Sequence, residues 1–203
     1  MTDQLVGLEI DLKKDETRSQ ILEVASMLFA QKGFNETSMN DIVHASGLSK
    51  GGIYWHFKSK NEIVLAIFNQ YFDMELAMLN SVLASEGTSE ERLRRLIARI
   101  SAALDEPSDH IPSPIDFYNQ ALRDPALLHQ LQHYFQGYRM HFKALIQAGI
   151  DAGEFTFQDA DTAALALISS LEGAILIATL FSSMEILSSQ LISITDLFLK
   201  GLR

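Results

Sequence analysis

Apolar residues recur along this chain at spacings of three and four and almost nowhere at two, a pattern that predicts helices throughout. Ile21, Ala25, Leu28 and Phe29 follow i, i+4, i+7, i+8 and predict an amphipathic helix that stops near Lys32-Gly33. Ser38 and Asp41 have capping-box spacing and open a short helix that ends before Gly47. Ser49 is a suitable N-cap for the helix after it. Ser59 and Glu62 repeat the box ahead of a long helix carrying Val64, Phe68, Phe72 and Met78 to about Ala84. Thr88 and Glu91 repeat it again before Leu93, Leu96, Ile97, Ile100 and Leu104. "DEPSDHIPSP", Asp105 to Pro114, reads as a loop, and a short helix follows through Phe117 and Leu122. Asp124-Pro125 starts a helix that runs to about Ala152, with Gly153 as its stop. Two apolar helices, about Asp159 to Phe181 and Ser183 to Leu202, complete the pattern. The expectation is an all-α protein of about nine helices. A flexible N-terminal extension is expected at 1–14, a first domain at 15–60 and a second at 61–203.

"AALALISSLEGAILIATLF", Ala163 to Phe181, has the length of a membrane span. Glu172 at its midpoint is costly in lipid, and no Lys or Arg lies between Lys143 and Lys200 to flank it. The reading is a helix buried in protein, and no membrane partner is expected.

"TSMNDIVHASGLSKGGIYWHF", Thr37 to Phe57, combines a helix, a tight turn and a second helix. Gly47 supplies the left-handed residue that ends the first, and Ile42, Leu48, Ile53 and Phe57 form a small core between the two. That is helix-turn-helix spacing, in which the start of the second helix enters the DNA major groove. Two adjacent glycines inside a helix each cost roughly 1 kcal/mol relative to alanine. Gly51 and Gly52 therefore mark a close approach of backbone to nucleic acid. Lys50 supplies charge, and Tyr54 and His56 are placed to donate to phosphates. Lys60 begins the following helix, a second anion site, and the capping residues Ser38 and Ser49 join the DNA-facing set. Trp55, the only tryptophan, either packs on the preceding helix or faces the groove.

Charge changes the picture only once it is divided. The net charge of −10 suits a nucleic-acid binder poorly, yet residues 1–60 hold seven Lys/Arg against eight Asp/Glu, and 61–203 hold nine against eighteen. Between Lys32 and Lys60 the count is four basic to two acidic, so a locally basic face is available. The apolar share of 47% is ample for a core. There is no cysteine, which removes disulfides and thiolate chemistry. The first residues, with acids among few apolar side chains, form no signal-peptide core, so a cytoplasmic location is expected.

The run "ILEVASMLFAQKGFNETSMNDIVHASGLSKGGIYWHFKSKNEIVL", with Arg18 just before it, resembles the TetR family of transcriptional regulators. The resemblance covers roughly a quarter of the chain. It implies a three-helix DNA-binding domain joined by a long fourth helix to a helical ligand-binding and dimerisation domain. By position it implies phosphate contacts from Thr37 and Lys60, major-groove contacts from Lys50, Gly51 and Gly52, and backbone contacts from Tyr54 and His56. Two residues depart from the family pattern. Gly52 stands where a hydroxyl or small side chain is frequent, and Val43 where alanine is common.

For the second domain, mixed aromatics and methionines suggest an adaptable, largely apolar pocket for a small-molecule effector. The candidate lining is Met74, Met78, Phe117, Tyr118, Tyr138, His141 and Phe142, and Glu172 is either a polar anchor in the pocket or an interface group. His129 and His133 have metal-ligand spacing without a third ligand, so no metal or cofactor is expected. Leu187, Leu191, Ile194 and Phe198 make one face of the last helix and predict a homodimer through a two-fold four-helix bundle. No catalytic motif is legible, so an enzyme is not expected. The expected function is a homodimeric repressor released from a palindromic double-stranded operator by its effector. An effector-independent architectural protein is the alternative.

Overall fold

The protein is described by a computed structural model for residues 2–105 and 114–203, with side chains for 14–102, 115 and 117–203. Among the described residues there are nine α-helices and no strand. They are α1 (Thr2–Lys32), α2 (Met39–Ser46), α3 (Lys50–His56), α4 (Lys60–Leu83), α5 (Ser89–Asp105), α6 (Pro114–Ala121), α7 (Pro125–Asp151), α8 (Ala160–Leu180) and α9 (Leu187–Leu202). The predicted loop after Asp105 lies largely outside the described residues.

The helix ends follow the local signals. The Ser38 hydroxyl accepts from the Asp41 amide, and the Asp41 carboxylate accepts from the Ser38 amide at 2.7 Å, a complete capping box. Gly47 ends α2 at φ +68°, a conformation that costs glycine little. The Ser49 hydroxyl caps α3 by accepting from the Gly52 amide, and Thr88 and Glu91 form a reciprocal box at α5. Asp124 caps α7 with Pro125 at its first position, and Asp159 caps α8. Two boundaries differ from expectation. The first helix reaches back to Thr2, so residues 2–14 are continuous with α1 where a separate extension was expected. That segment has no proline, and its leucines, glutamate and lysines are good helix formers. The last α-helix starts at Leu187, not Ser183, after a 3-10 turn at Met184–Ile186.

The chain divides into two compact units, Met1–Gln70 with Asp109–Phe117, and Tyr71–Ser108 with Tyr118–Arg203. In the first, α2 packs on α1 and on α3. Its core is Ile21, Leu22, Ala25 and Phe29 from α1, Ile42 from α2, Ile53 from α3, and Phe57, Ile63 and Val64 at and after the α3–α4 junction. Phe117 stacks on Phe68 within this unit. In the second unit α5 packs on α9 and α7, and α8 packs on α7 and α9.

The inward stripe of α9 is Leu187, Leu191, Thr195, Leu199 and Leu202. This corrects the expected dimer face. Leu187 and Leu191 are buried inside their own chain, while Ile194 and Phe198 flank the stripe half-buried. The physical reason is that α5 lies beside α9 and receives this stripe, and Thr195 enters the core satisfied because its hydroxyl donates to the Leu191 carbonyl at 2.8 Å. Leu191→Ala is therefore expected to lower the stability of the chain itself by about 3 kcal/mol in urea denaturation, the usual cost of emptying a buried leucine site.

Candidate functional site

The expected DNA-facing residues come together in the first unit, with their side chains in three different conditions. Ser38, Ser49, Lys50, Gly51 and Trp55 are exposed, and Gly52, Tyr54, His56 and Lys60 are half-buried. Thr37 is 1% exposed. Its hydroxyl donates to the Gly33 carbonyl at 2.9 Å, with the Leu28 carbonyl at 3.3 Å, closing the end of α1. In this structure the Thr37 side chain has a structural role. The hydroxyl reaches carbonyls at and just beyond the end of α1, where helical donors run out.

Lys60 is also turned inward. Its ammonium donates to the Phe34 carbonyl at 2.6 Å and the Thr37 carbonyl at 2.7 Å, and lies 4.2 Å from the centroid of the Phe34 ring. Burial holds it below the ordinary lysine range, against the opposing pull of Glu36 and Asp41. Lys60 thus ties the start of α4 to the loop that precedes α2.

Gly51 and Gly52 lie inside α3 with φ outside the left-handed region, so neither is a turn glycine. A Cβ on Gly51 would meet no atom within 4 Å, whereas one on Gly52 would lie 3.2 Å from the Ser49 hydroxyl. The chain itself therefore gives no packing reason for glycine at 51. Trp55, one turn further along the same face, is 60% exposed. It meets the His56 ring edge-on and carries the Lys14 ammonium 5.3 Å from its centroid. The Lys50 ammonium lies 5.7 Å from the Tyr54 ring. His56 sits below the ordinary histidine range, through burial first and then the charges of Lys14 and Arg18.

The eight expected ligand residues are separated. Phe117 is buried in the first unit, Met74 is 63% exposed, and Phe142 is fully buried core. His141 is held by the Gly137 carbonyl and by Asn80. Tyr118, Tyr138 and Glu172 remain together in the second unit, with Met78 half-buried on α4. Glu172 accepts the Tyr118 hydroxyl at 2.5 Å, so its side chain belongs to this cluster.

The residue that sequence reading missed is Glu75. Its carboxylate accepts from Tyr71 at 2.7 Å, from Tyr138 at 3.3 Å and from Tyr134. The signal was present, because Glu75 interrupts the buried α4 stripe of Val64, Phe68, Phe72, Leu79 and Val82. Tyr134 and Tyr138, four residues apart on α7, are its matching donors. The Tyr134 ring stacks on Phe72 at 3.9 Å and meets Phe135 edge-on at 5.3 Å. Burial, reinforced by neighbouring carboxylates, pushes all four phenols well above the ordinary tyrosine range. Burial likewise raises Glu172, and Glu75 adds to the rise while the Tyr118 hydrogen bond opposes it. Among the described residues neither carboxylate has an ion-pair partner.

The exposed apolar surface lies mainly on α8 and the turn after it, at Leu165, Leu176, Ile177, Leu180, Phe181 and Met184, with Leu197 on α9. Helix α8 is long and apolar enough to cross a membrane by length and composition. In this structure it packs on α7 and α9, with Glu172 bonded at its midpoint.

Comparison with known proteins extends these observations. Residues 21–67 match the family described as bacterial regulatory proteins, tetR family, and residues 81–199 match the BetI-type transcriptional repressor C-terminal family. A Bacillus subtilis (strain 168) protein, the uncharacterized HTH-type transcriptional regulator YfiR, is 32% identical over 150 residues, which cover 70% of this chain and 69% of that one. A TetR transcription regulator from Haloarcula marismortui superposes with a TM-score of 0.84 at 19% identity, covering 93% of this chain and 98% of its own. The complex of SmeT with triclosan superposes with a TM-score of 0.78 at 21% identity, covering 92% and 91%. SmeT is the repressor of the Stenotrophomonas maltophilia multidrug efflux pump SmeDEF. At these identities the two structures attest the fold.

The inward Lys60 predicts a measurable stability effect. Removing its ammonium leaves two half-buried carbonyls without their donor, and hydrogen bonds to charged groups contribute about 1.5–3 kcal/mol, less where water reaches them. Lys60→Met, which keeps most of the stem, is expected to lose about 1 kcal/mol in thermal or urea unfolding. An unchanged melting temperature would show that water replaces the ammonium without loss.

Proposed function

The chain belongs to the tetR family of bacterial regulatory proteins, and on that basis we propose that it is a homodimeric repressor released from a palindromic operator by a small-molecule effector. The observation that carries the DNA half of this reading is the bare, exposed Gly51 inside a capped helix. A glycine at an exposed helical position costs about 1 kcal/mol. With no intramolecular neighbour to explain it, the missing side chain serves a surface that approaches from outside. In a helix-turn-helix that surface is the floor of the major groove. Lys50 and Tyr54 on one side and Trp55 on the other then reach base edges or backbone. A dimer repeats this arrangement on a two-fold axis, which a palindrome matches.

Support for an effector site comes from the arrangement around Glu75 and Glu172. Tyrosine hydroxyls satisfy these carboxylates without neutralising them, and the rings of Phe72, Tyr134 and Phe135 stand beside them. The site suits an effector with a ring-bearing apolar body and a hydrogen-bond donor or positive charge turned toward Glu172. A regulator of this fold solved with triclosan is consistent with a bound small molecule. Helix α4 belongs to both units. Lys60 ties its start to the loop before α2, and Glu75 lies fifteen residues further along the same helix. An effector that competes for Glu75 would shift α4 and, through Lys60, the loop that positions α2 and α3. The coupling is reciprocal, so operator DNA should weaken effector binding by the same factor.

Two experiments test the reading. A duplex selected by the protein from random sequence is expected to be palindromic, and Gly51→Ala is expected to bind it at least tenfold more weakly. The same variant should melt at or above wild type, by up to about 1 kcal/mol. Undiminished affinity together with a raised melting point would sink the close-approach argument. For the dimer, Leu180→Asp places a carboxylate in the exposed apolar face of α8 without disturbing the chain's own core. Sedimentation is expected to give a folded monomer where wild type gives a dimer, because a desolvated unpaired charge costs several kcal/mol on each side of a two-fold interface.

A further inference from the structure

Helix α1 turns one face toward α2 and α3, and that face changes character along its length. Ile21 and Ala25 on it are fully buried. Arg18 precedes Ile21 by three positions and Lys14 precedes Arg18 by four, so all four residues share one stripe. The stripe therefore passes from apolar to cationic where the rings at the end of α3 lie. The Lys14 ammonium stands 5.3 Å from the Trp55 centroid, and the Arg18 guanidinium 5.4 Å from that of Phe57. Both cations are exposed, and neither has a carboxylate partner among the described residues. Such partners are plentiful in a chain of net charge −10, and Asp15 and Glu16 directly follow Lys14. Helix geometry, at about 100° per residue, carries Glu16 to the opposite side, and Asp15, three positions before Arg18 on the flank of the stripe, forms no ion pair with it. Their combined field is felt at His56, where Lys14 and Arg18 both act against protonation.

Two uncompensated cations fixed against aromatic rings are pre-organised for an anion, since the rings hold the long side chains extended at little further entropic cost. The anion follows from position. Trp55 shares a face of α3 with the bare Gly51, the face assigned above to the major groove. That groove is about 12 Å wide and is edged by phosphates, while a seven-residue helix is about 10 Å long. Charges just beyond the α3 rings thus fall at the rim, beside the phosphodiester backbone.

We infer that Lys14 and Arg18 form a phosphate clamp on the first helix, gripping the DNA backbone at the rim of the groove that α3 enters, with Trp55 and Phe57 as the platform that orients them. The clamp rests on the DNA-binding reading and adds to it two residues outside the helix-turn-helix. It supplies affinity without sequence preference, because phosphates carry no sequence information.

The test is the salt dependence of binding to a mixed-sequence 30-base-pair duplex and to the selected palindrome, by fluorescence anisotropy between 50 and 200 mM KCl. Lys14→Met keeps an aliphatic stem over Trp55 and removes only the charge. It should lower the slope of log K against log salt by about 0.9 on both duplexes. Arg18→Met should do the same, and the pair together should lower it by about 1.8. Lys14→Arg should restore the wild-type slope. Lys143→Met, at an exposed lysine paired with Asp161 in the second unit, should leave it unchanged. Single and double Met variants that keep the wild-type slope would overturn the clamp while leaving DNA binding intact. A wild-type protein with no salt-dependent binding to either duplex would instead overturn the DNA reading and the clamp with it. Emission from Trp55, the only tryptophan, reports on the platform in every variant. A single Met variant with wild-type emission and melting temperature but a reduced slope separates lost charge from lost fold.

Discussion

A charged group drawn out of water must find partners, and α4 draws in two at points fifteen residues apart. At its start the Lys60 ammonium donates to the Phe34 and Thr37 carbonyls, which otherwise would lack donors in the turn between α1 and α2. Further along, Glu75 replaces an apolar residue in the buried stripe and is held by three tyrosine hydroxyls. An apolar residue at either position would pack with less specificity, because a hydrophobic contact tolerates sliding and a hydrogen-bonded charge does not. The helix is thereby registered in each unit by a polar contact that works at one position only.

The same logic explains how an acidic protein can present a DNA-reading surface. Most of the excess negative charge lies beyond residue 60, while the face built from α1 and α3 carries Lys14, Arg18 and Lys50 beside aromatic rings. Over distances beyond about 10 Å salt screens most of the remote charge, so the local face governs what binds there. Ser49 caps α3, and Gly51 leaves its exposed side bare. Around Glu75 and Glu172 the chain accepts an opposite cost. There it keeps two carboxylates and four phenols in partly buried surroundings, where burial raises the phenols and Glu172 above their ordinary ranges.

Helices α8 and α9 show what an all-round apolar helix leaves open. Both carry more apolar surface than one partner layer covers, so one face packs inside the chain and another remains outside. On α9 the inner stripe includes Thr195 because its hydroxyl bonds back to the Leu191 carbonyl. On α8 leucines at 165, 176 and 180 stay exposed while Ala164, Leu167 and Leu171 are buried. The exposed face is a run of apolar side chains that this chain does not itself cover.

The sequence by itself determined the helices, because their signals are local. Capping at Ser38, Ser49, Thr88, Asp124 and Asp159, and the left-handed glycine at 47, depend on neighbours within four residues and appear where the spacing predicts them. The helix-turn-helix was legible for the same reason, since turn, cap and paired glycines are contiguous. The continuity of residues 2–14 with α1 was missed because a helix start without a cap has no local mark. What only the tertiary structure decided is where each long side chain spends its polar end. Lys60 read as a phosphate ligand turned to carbonyls more than twenty residues earlier in the chain, and Thr37 turned to the end of α1. Leu187 and Leu191 were drawn inward because α5 lay beside α9 to receive them. Such choices depend on carbonyls, rings and helices distant in sequence, and periodicity along a single helix cannot distinguish a face buried by its own chain from one left for a partner.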